Sequence, residues 1–452
     1  MGWRQHISGM FSKKVYFLTA KIVNIFRSFS SDKTRIIKNY VSLFLLQGSN
    51  YILPLITLPY LVRILGPEKY GLNAFATAFI AYFIVITDYG FIHTAPRRVA
   101  INKEDNLRLS QIFNSIMLIK FVLLFICLII MIFILWTFSK FQSDATLYFV
   151  TFLSVLGNVL FPVWFFQGIE DMKYITIFNV VSKLLYTSAI FIFVKVQSDY
   201  ILVPLFSGIG SIVVGIISLC MIRLKYNINY VLPPKKVIHE EFKAGWHVFL
   251  GMAAVSLNYN TNSFLLGILT NNTIVGYFKA AETLIRALVS MVTPILQATY
   301  PYVNRLAVES KLKSLQFTRK LLIVYGAVSF VISIILLIFA PNIILLIFGY
   351  KYINSIIVVQ MLSFLPFLIG TSGILATQGL LAFELNKQFS TITFISGVIN
   401  MLLLLVLTPL YQLIGISVAM LLSELFATLA VFYYLKRKGI VIIPKVHISI
   451  LH

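Results

Sequence analysis

The chain has 452 residues, of which 59% are hydrophobic and 12% charged, whereas a soluble domain carries about 25% charged residues. No soluble core could hide that much apolar surface, so the expected solvent is the bilayer and the expected class is an all-α polytopic membrane protein. The net charge of +22 would suit nucleic acid, but the cations lie in short segments between apolar runs, the pattern that orients membrane proteins. No nucleic-acid partner is expected. Cys127 and Cys220 both fall inside apolar runs and read as buried small hydrophobes, with no disulfide framework or thiolate metal site.

In chain order, residues 1–39 form a basic leader in which Lys13, Lys14, Lys21 and Arg27 alternate with Phe11, Phe17 and Ile22. It lacks a continuous apolar stretch and a small-residue cleavage site, and reads as an interfacial helix on an anionic leaflet. Twelve apolar runs of bilayer length follow, at about 41–64, 70–92, 110–136, 145–167, 174–195, 200–222, 244–269, 275–303, 318–340, 354–382, 388–410 and 412–435. The predicted plan is therefore a six-helix bundle over 40–222, a linker over 223–243, a second six-helix bundle over 244–436, and a tail over 437–452. With both termini inside, the inner segments hold 28 of the 37 Lys and Arg, which sets the orientation. Ile64-Leu65-Gly66 leading to Gly71-Leu72-Asn73 is weakly echoed by Ile268-Leu269-Thr270 leading to Gly276-Tyr277-Phe278. Two like halves around a central cavity are a transporter plan.

The first span is broken by Pro54 and Pro59 and ends in Arg63 and a Leu-Gly-Pro turn. Interior prolines remove helix hydrogen bonds, a defect that neighbouring helices can repair inside a membrane. Pro54, Pro59 and Arg63 are the predicted gate.

An ionisable group in the bilayer costs about 2.5–3.5 kcal/mol on insertion scales, so each is a functional candidate. Span 8 carries Lys279, Glu282 and Arg286 on one helical face; these form either a substrate-facing set or an internal ladder neutralised by Glu282. Span 5 has the polar stripe Thr176, Asn179, Lys183 and Tyr186, and span 3 has Lys120. The candidate cationic path is thus Lys120, Lys183, Lys279 and Arg286. Asp88, Glu282 and Glu424 are the candidate ion-coupling groups or charge partners. Asn258, Asn260 and Asn262 in span 7, with Asn179, suit sugar hydroxyls or a bound cation, and serve equally well as interhelical glue. His247 reads as a core residue. No HExxH, GxSxG or phosphate-binding glycine loop occurs, so neither an enzyme nor a cofactor is expected.

The stretch Leu53–Gly71, then Asp88-Tyr89-Gly90-Phe91, Pro162-Val163-Trp164-Phe165-Phe166-Gln167-Gly168, and Gly276-Tyr277 to Glu282 resemble the Wzx-type O-antigen flippases. That family is the polysaccharide branch of the multidrug/oligosaccharidyl-lipid/polysaccharide exporter superfamily, and the likeness covers residues 40 to 440. It implies that undecaprenyl-pyrophosphate-linked O-antigen units are moved across the bacterial inner membrane. It also implies contact with membrane lipids, coupling to H+ or Na+, and an O-antigen polymerase and chain-length regulator as partners. The long leader departs from the family pattern. The rival readings are a multidrug antiporter of the same superfamily, which would favour an acidic cavity, and a glycan polymerase, which would be expected to carry a large outer loop.

Overall fold

The computed structural model describes the backbone of residues 31–290 and 292–440, with side chains from Leu53 onward apart from 254, 255 and 257–259. The predicted interfacial leader and C-terminal tail fall mainly outside the described residues, as do the side chains of Asn258 and Tyr259.

Apolar runs of about 20 residues that satisfy their own backbone can only be helices here, and no strand occurs among the described residues. The first two spans form one continuous helical stretch broken at Gly66, whose φ of 68° only glycine adopts freely; α1 covers 31–65 and α2 covers 67–88. Pro67 follows the break at the first helical position of α2, where its missing N–H costs nothing. Tyr89 and Gly90, both at positive φ, turn the chain into α3 (Phe91–Ile101), which lies between two spans. Sequence patterning merges α3 with the loop because its apolar face is only Phe91, Ala95 and Val99. Spans 3 to 6 are α4 (Asn106–Thr137), α6 (Ala145–Leu160) with α7 (Val163–Gly168), α8 (Met172–Phe193) and α9 (Leu202–Tyr226). The short α5 (Ser139–Gln142) sits between α4 and α6.

The second half begins with α10 (Lys235–Leu269), then α11 (Asn272–Ser290) and α12 (Val292–Glu309) as one interrupted span, and α13 (Lys311–Ile347). Span 10 is α14 (Ser355–Leu362) and α15 (Leu365–Ile374), continued by a widened π turn over Leu375–Leu380. The last stretch breaks at Gln412, with φ 46° and ψ −114°, into α16 (386–411) and α17 (413–437). The predicted twelve spans are all present as helices. Among the described residues eight stretches are long and apolar enough to cross a membrane, two of them being the pairs folded at Gly66 and Gln412. The chain is a multi-pass membrane protein.

Two readings of single residues reverse. Cys127 is buried but Cys220 is exposed, and His247 is exposed rather than in the core. Both lie on outward faces of helices, where lipid or headgroup replaces water and an apolar run says nothing of which side faces in.

Two ends of the bundle can be distinguished: a basic end carrying Arg97, Arg98, Arg108, Lys173, Lys225 and Lys235, and an opposite end formed by the turns at Gly66, Lys140, Thr270 and Gln412. At the opposite end the halves interlock. A Cβ added at Gly71 would stand 1.8 Å from the Asn272 carbonyl oxygen, and one at Gly276 would stand 1.9 Å from that of Pro67. The backbones of α2 and α11 therefore touch through two glycines, one from each echoed motif. Arg63 on α1 donates to the carbonyls of Leu346 and, at 3.0 Å, Ile347 at the end of α13. Lys140 on α5 donates to the carbonyls of Gly267, Ile268 and Thr270 at the end of α10. Each cation satisfies orphan carbonyls and opposes the negative end of a helix dipole.

From the basic end up, α10 is also seamed to the first half. Gly245 packs on Tyr89, whose ring lies 4.6 Å from that of Phe242 and 5.3 Å from that of Phe249. Farther along, Phe264 stacks with Phe75 and Phe79, and Tyr82 shares a hydrogen bond with Thr261.

Gly276→Ala is expected to cost about 1–3 kcal/mol through forced separation of the two backbones, read as a lower melting temperature in detergent. Gly251→Ala, where a Cβ meets nothing within 4 Å, should leave that temperature unchanged or raise it.

Candidate functional site

A cavity of about 580 Å³ lies between the halves, walled by α1, α2, α6, α8 and α9 on one side and by α10 and α11 on the other. Its ammonium groups are Lys183 from α8 and Lys279 from α11. Among the described residues no aspartate or glutamate lines it. Pro54 lines its wall on α1, where Thr57 bonds the carbonyls of Leu53 and Pro54 with its hydroxyl, an arrangement that bends helices.

The span 8 charges are divided by their geometry. Glu282, 1% exposed, takes Lys279 Nζ on one oxygen at 2.9 Å and Arg286 Nε on the other at 2.6 Å. One carboxylate thus holds two cations, and α11 keeps a net positive charge. Lys279 reaches the cavity, while Arg286 acts electrostatically on Glu424 of α17. Ladder and substrate-facing readings describe different ends of one cluster.

Lys120 does not reach the cavity. It is 1% exposed and ion-paired with Asp88 at 3.0 Å, which ties α4 to the end of α2. Asn262 is 2% exposed and accepts from Asn400 Nδ2 at 2.9 Å, and Asn400 accepts in turn from Ser423 at 3.4 Å. That chain links α10, α16 and α17. Asn179 and Asn260 do line the cavity, donating to the Ile175 carbonyl at 2.8 Å and to Ser256 Oγ at 3.0 Å. Pro59 lies in α1 beyond the cavity lining, and Arg63 serves the contact with α13.

Patterning missed the hydroxyl wall: Thr151 and Ser154 on α6, Ser182 and Thr187 on α8, and Ser207 and Ser211 on α9. The signal was available, because Asn179, Ser182, Lys183, Tyr186 and Thr187 follow helical spacing along one face. Asn73 on α2, 8% exposed, was also missed; it donates to the Tyr200 carbonyl at 3.0 Å.

Outside the spans, Glu241 lies in the first turns of α10 at the basic end. It is fully buried and 3.2 Å from Arg98 Nη1, yet neither oxygen takes a hydrogen bond. Glu240 beside it pairs with Arg98 and Arg108, each at 3.3 Å. Burial pushes the Glu241 carboxyl up to about 7, against the pull of Arg98.

Two six-helix halves, joined at a glycine contact and enclosing a cation-bearing cavity at their interface, define a polytopic transporter. The family described as "Polysaccharide biosynthesis protein" matches residues 36–307, and the chain belongs to that family. It is 31% identical over 413 residues to a protein of Escherichia coli (strain K12), covering 91% of this chain and 100% of the relative. It is 29% identical over 395 residues to one of Shigella dysenteriae, covering 87% and 98%. Both carry the name "Putative O-antigen transporter". Among solved structures, the inward closed conformation of the lipid II flippase MurJ matches with a TM-score of 0.72 at 12% identity, covering 90% of this chain and 89% of that one. An inward-facing multidrug resistance MATE transporter of the MOP superfamily matches at 0.65 and 15%, covering 86% and 95%. These structural likenesses are ones of fold.

Lys120→Met is expected to cost about 3–5 kcal/mol by leaving Asp88 unpaired, with Lys120→Met/Asp88→Asn regaining most of it; thermal unfolding of the three proteins checks this. Because the Glu241 carboxyl titrates higher when folded than unfolded, its contribution is fully present below about pH 4.5 and is lost as pH rises through about 7. The melting temperature should therefore fall from pH 5 to pH 8 by more in wild type than in Glu241→Gln.

Proposed function

We propose that the chain translocates undecaprenyl-pyrophosphate-linked O-antigen repeat units from the inner to the outer leaflet of the bacterial inner membrane, with both termini cytoplasmic. The observation that carries this reading is the cavity between the halves, which offers two ammonium groups and, among the described residues, no carboxylate. A pyrophosphate cannot cross hydrocarbon without compensating charge, and Lys183 and Lys279 supply it from opposite walls. The family membership and the names of the relatives support a lipid-linked glycan as cargo. A cationic drug would meet repulsion in the same cavity, which sets the multidrug alternative aside. A glycan polymerase is disfavoured because the relatives are named as transporters.

The head group crosses while the polyprenyl tail stays in lipid, leaving by the edge where α1 carries Pro54 and Pro59. Alternation then requires the opposite-end contacts to part: the Gly71–Gly276 interlock and the Arg63 bonds to α13. For ion coupling, Glu424 is the best-suited carboxylate, since Glu282 and Asp88 are held in short ion pairs. The polymerase and chain-length regulator remain the expected assembly partners, receiving the unit on the far side.

Complementation in a bacterium lacking its own O-antigen flippase tests the reading. Wild type is expected to restore surface glycan, Lys183→Ala/Lys279→Ala to lose it, and Lys120→Met/Asp88→Asn to retain it. No restoration by well-inserted wild type would overturn the flippase reading. Collapse of the proton and sodium gradients with ionophores is expected to abolish transport by wild type; undiminished transport, or a fully active Glu424→Gln protein, would remove the coupling role.

A further inference from the structure

The helix α10 is longer than a span requires. Its 35 residues rise about 52 Å at about 1.5 Å each, against a hydrocarbon layer of about 30 Å. Counted back from Leu269, at the end opposite the basic one, the roughly twenty residues that cross such a layer reach Leu250. The stretch from Lys235 to Phe249 therefore stands at head-group level and beyond.

The two faces of that stretch differ in charge. Glu240 and Glu241 turn to the first half, where Arg98 meets both and Arg108 meets Glu240, at 3.2 to 3.3 Å. The other face bears Lys235, Lys236, His239 and Lys243, all exposed. Lys235, His239, Phe242, Trp246 and Leu250 follow one another at steps of three and four residues, so they form a single stripe. Its apolar members Phe242, Trp246 and Leu250 are 42%, 45% and 48% exposed. A groove of about 250 Å³ opens along the outer part of the stripe, lined by Lys235, Ile238, His239 and Phe242, with no carboxylate among the described residues. Tyr89 of the first half backs it, its ring 4.6 Å from that of Phe242 and 6.5 Å from that of Trp246.

Polarity changes along this stripe as it does along a lipid. The cations stand at head-group depth, the indole stands near the boundary where tryptophan concentrates, and Leu250 enters the hydrocarbon. An acidic peptide would use the lysines and leave Trp246 and Leu250 bare at a depth it does not reach. A phospholipid with net negative charge satisfies the whole face, since ammonium groups near a leaflet attract anionic head groups.

We propose that this face of α10 binds an anionic phospholipid of the leaflet at the basic end. The phosphate lies among Lys235, Lys236 and Lys243, and an acyl chain lies along Phe242, Trp246 and Leu250. Because the site abuts Tyr89, the bound lipid braces the seam between α2 and α10. It does not depend on what the cavity carries, so it stands or falls apart from the transport reading.

Trp246 is the reporter. The purified full chain in neutral detergent is titrated with phosphatidylglycerol or phosphatidylcholine brominated on the acyl chains, and the quenching that is lost in Trp246→Phe is the signal from the site. Wild type is expected to be quenched at about tenfold lower concentration of the anionic lipid, as attraction by more than one lysine implies. Lys235→Gln/Lys236→Gln/Lys243→Gln is expected to bring the two lipids level while melting at the wild-type temperature in the absence of lipid. Lys311→Gln/Lys313→Gln/Lys320→Gln removes the same charge from exposed positions at the start of α13, at the same end of the bundle, and is expected to keep the tenfold preference. Wild type quenched equally by both lipids or by neither, an unaltered preference in the α10 variant, or an equal loss in the α13 variant overturns the site. Undecaprenyl diphosphate that displaces the brominated phospholipid at equimolar concentration overturns the phospholipid as occupant and gives the groove to the cargo lipid.

Discussion

Everything at the interface depends on how one buried carboxylate is shared. Glu282 is inaccessible and bonded on both oxygens, so neither Lys279 nor Arg286 meets hydrocarbon as an isolated charge. An unpaired ion in that medium is prohibitively costly, and a doubly bonded one is tolerated. Sharing one anion between two cations leaves a surplus positive charge on α11. Two turns apart on one face of the helix, the two cations differ in role: Lys279 lines the cavity, and Arg286 acts electrostatically on Glu424. The opposite wall answers with Lys183. The pocket is electropositive because, among the described residues, no carboxylate lines it, and Glu282 behind it is already engaged by both cations.

The second constraint is steric. Helices in lipid gain nothing from hydrophobic association and rely on close packing and polar contacts. At the α2–α11 contact that packing reaches backbone against backbone, which only Gly71 and Gly276 permit. The cations at the same end follow a common logic: Arg63 and Lys140 each belong to the first half and each finish a helix of the second. Completing another helix's C-terminus compensates these cations without an acid, and explains how they sit at the interface with no ion-pair partner among the described residues.

The spans were legible because a bilayer demands about 20 apolar residues and the chain supplies them twelve times. The Gly66-Pro67 break was equally plain, since glycine takes the positive φ freely and proline suits the first position of the next helix. What escaped is what depends on distant residues meeting. Nothing in the sequence places Lys120 beside Asp88, or Asn262 beside Asn400; each residue was visible as polar in an apolar run, but its partner was not. The same holds for Lys140, which reads as one more loop cation until the end of α10 is found against it. Cys220 and His247 were misread for a different reason. In water an apolar neighbourhood means interior, but in lipid it means either side.

The seam between α2 and α10 runs from Tyr89–Gly245 to Phe75–Gly267 and is fastened at both ends. A movement of the halves that preserves it has the geometry of a book with a bound spine. The fore-edge, where α1 and α11 line the cavity, is then the side that parts. A cargo with a long lipid tail would then board and leave along a single side of the molecule. The protein would thus be directional within the plane of the membrane as well as across it, and any neighbour handing it cargo would have to stand at that edge.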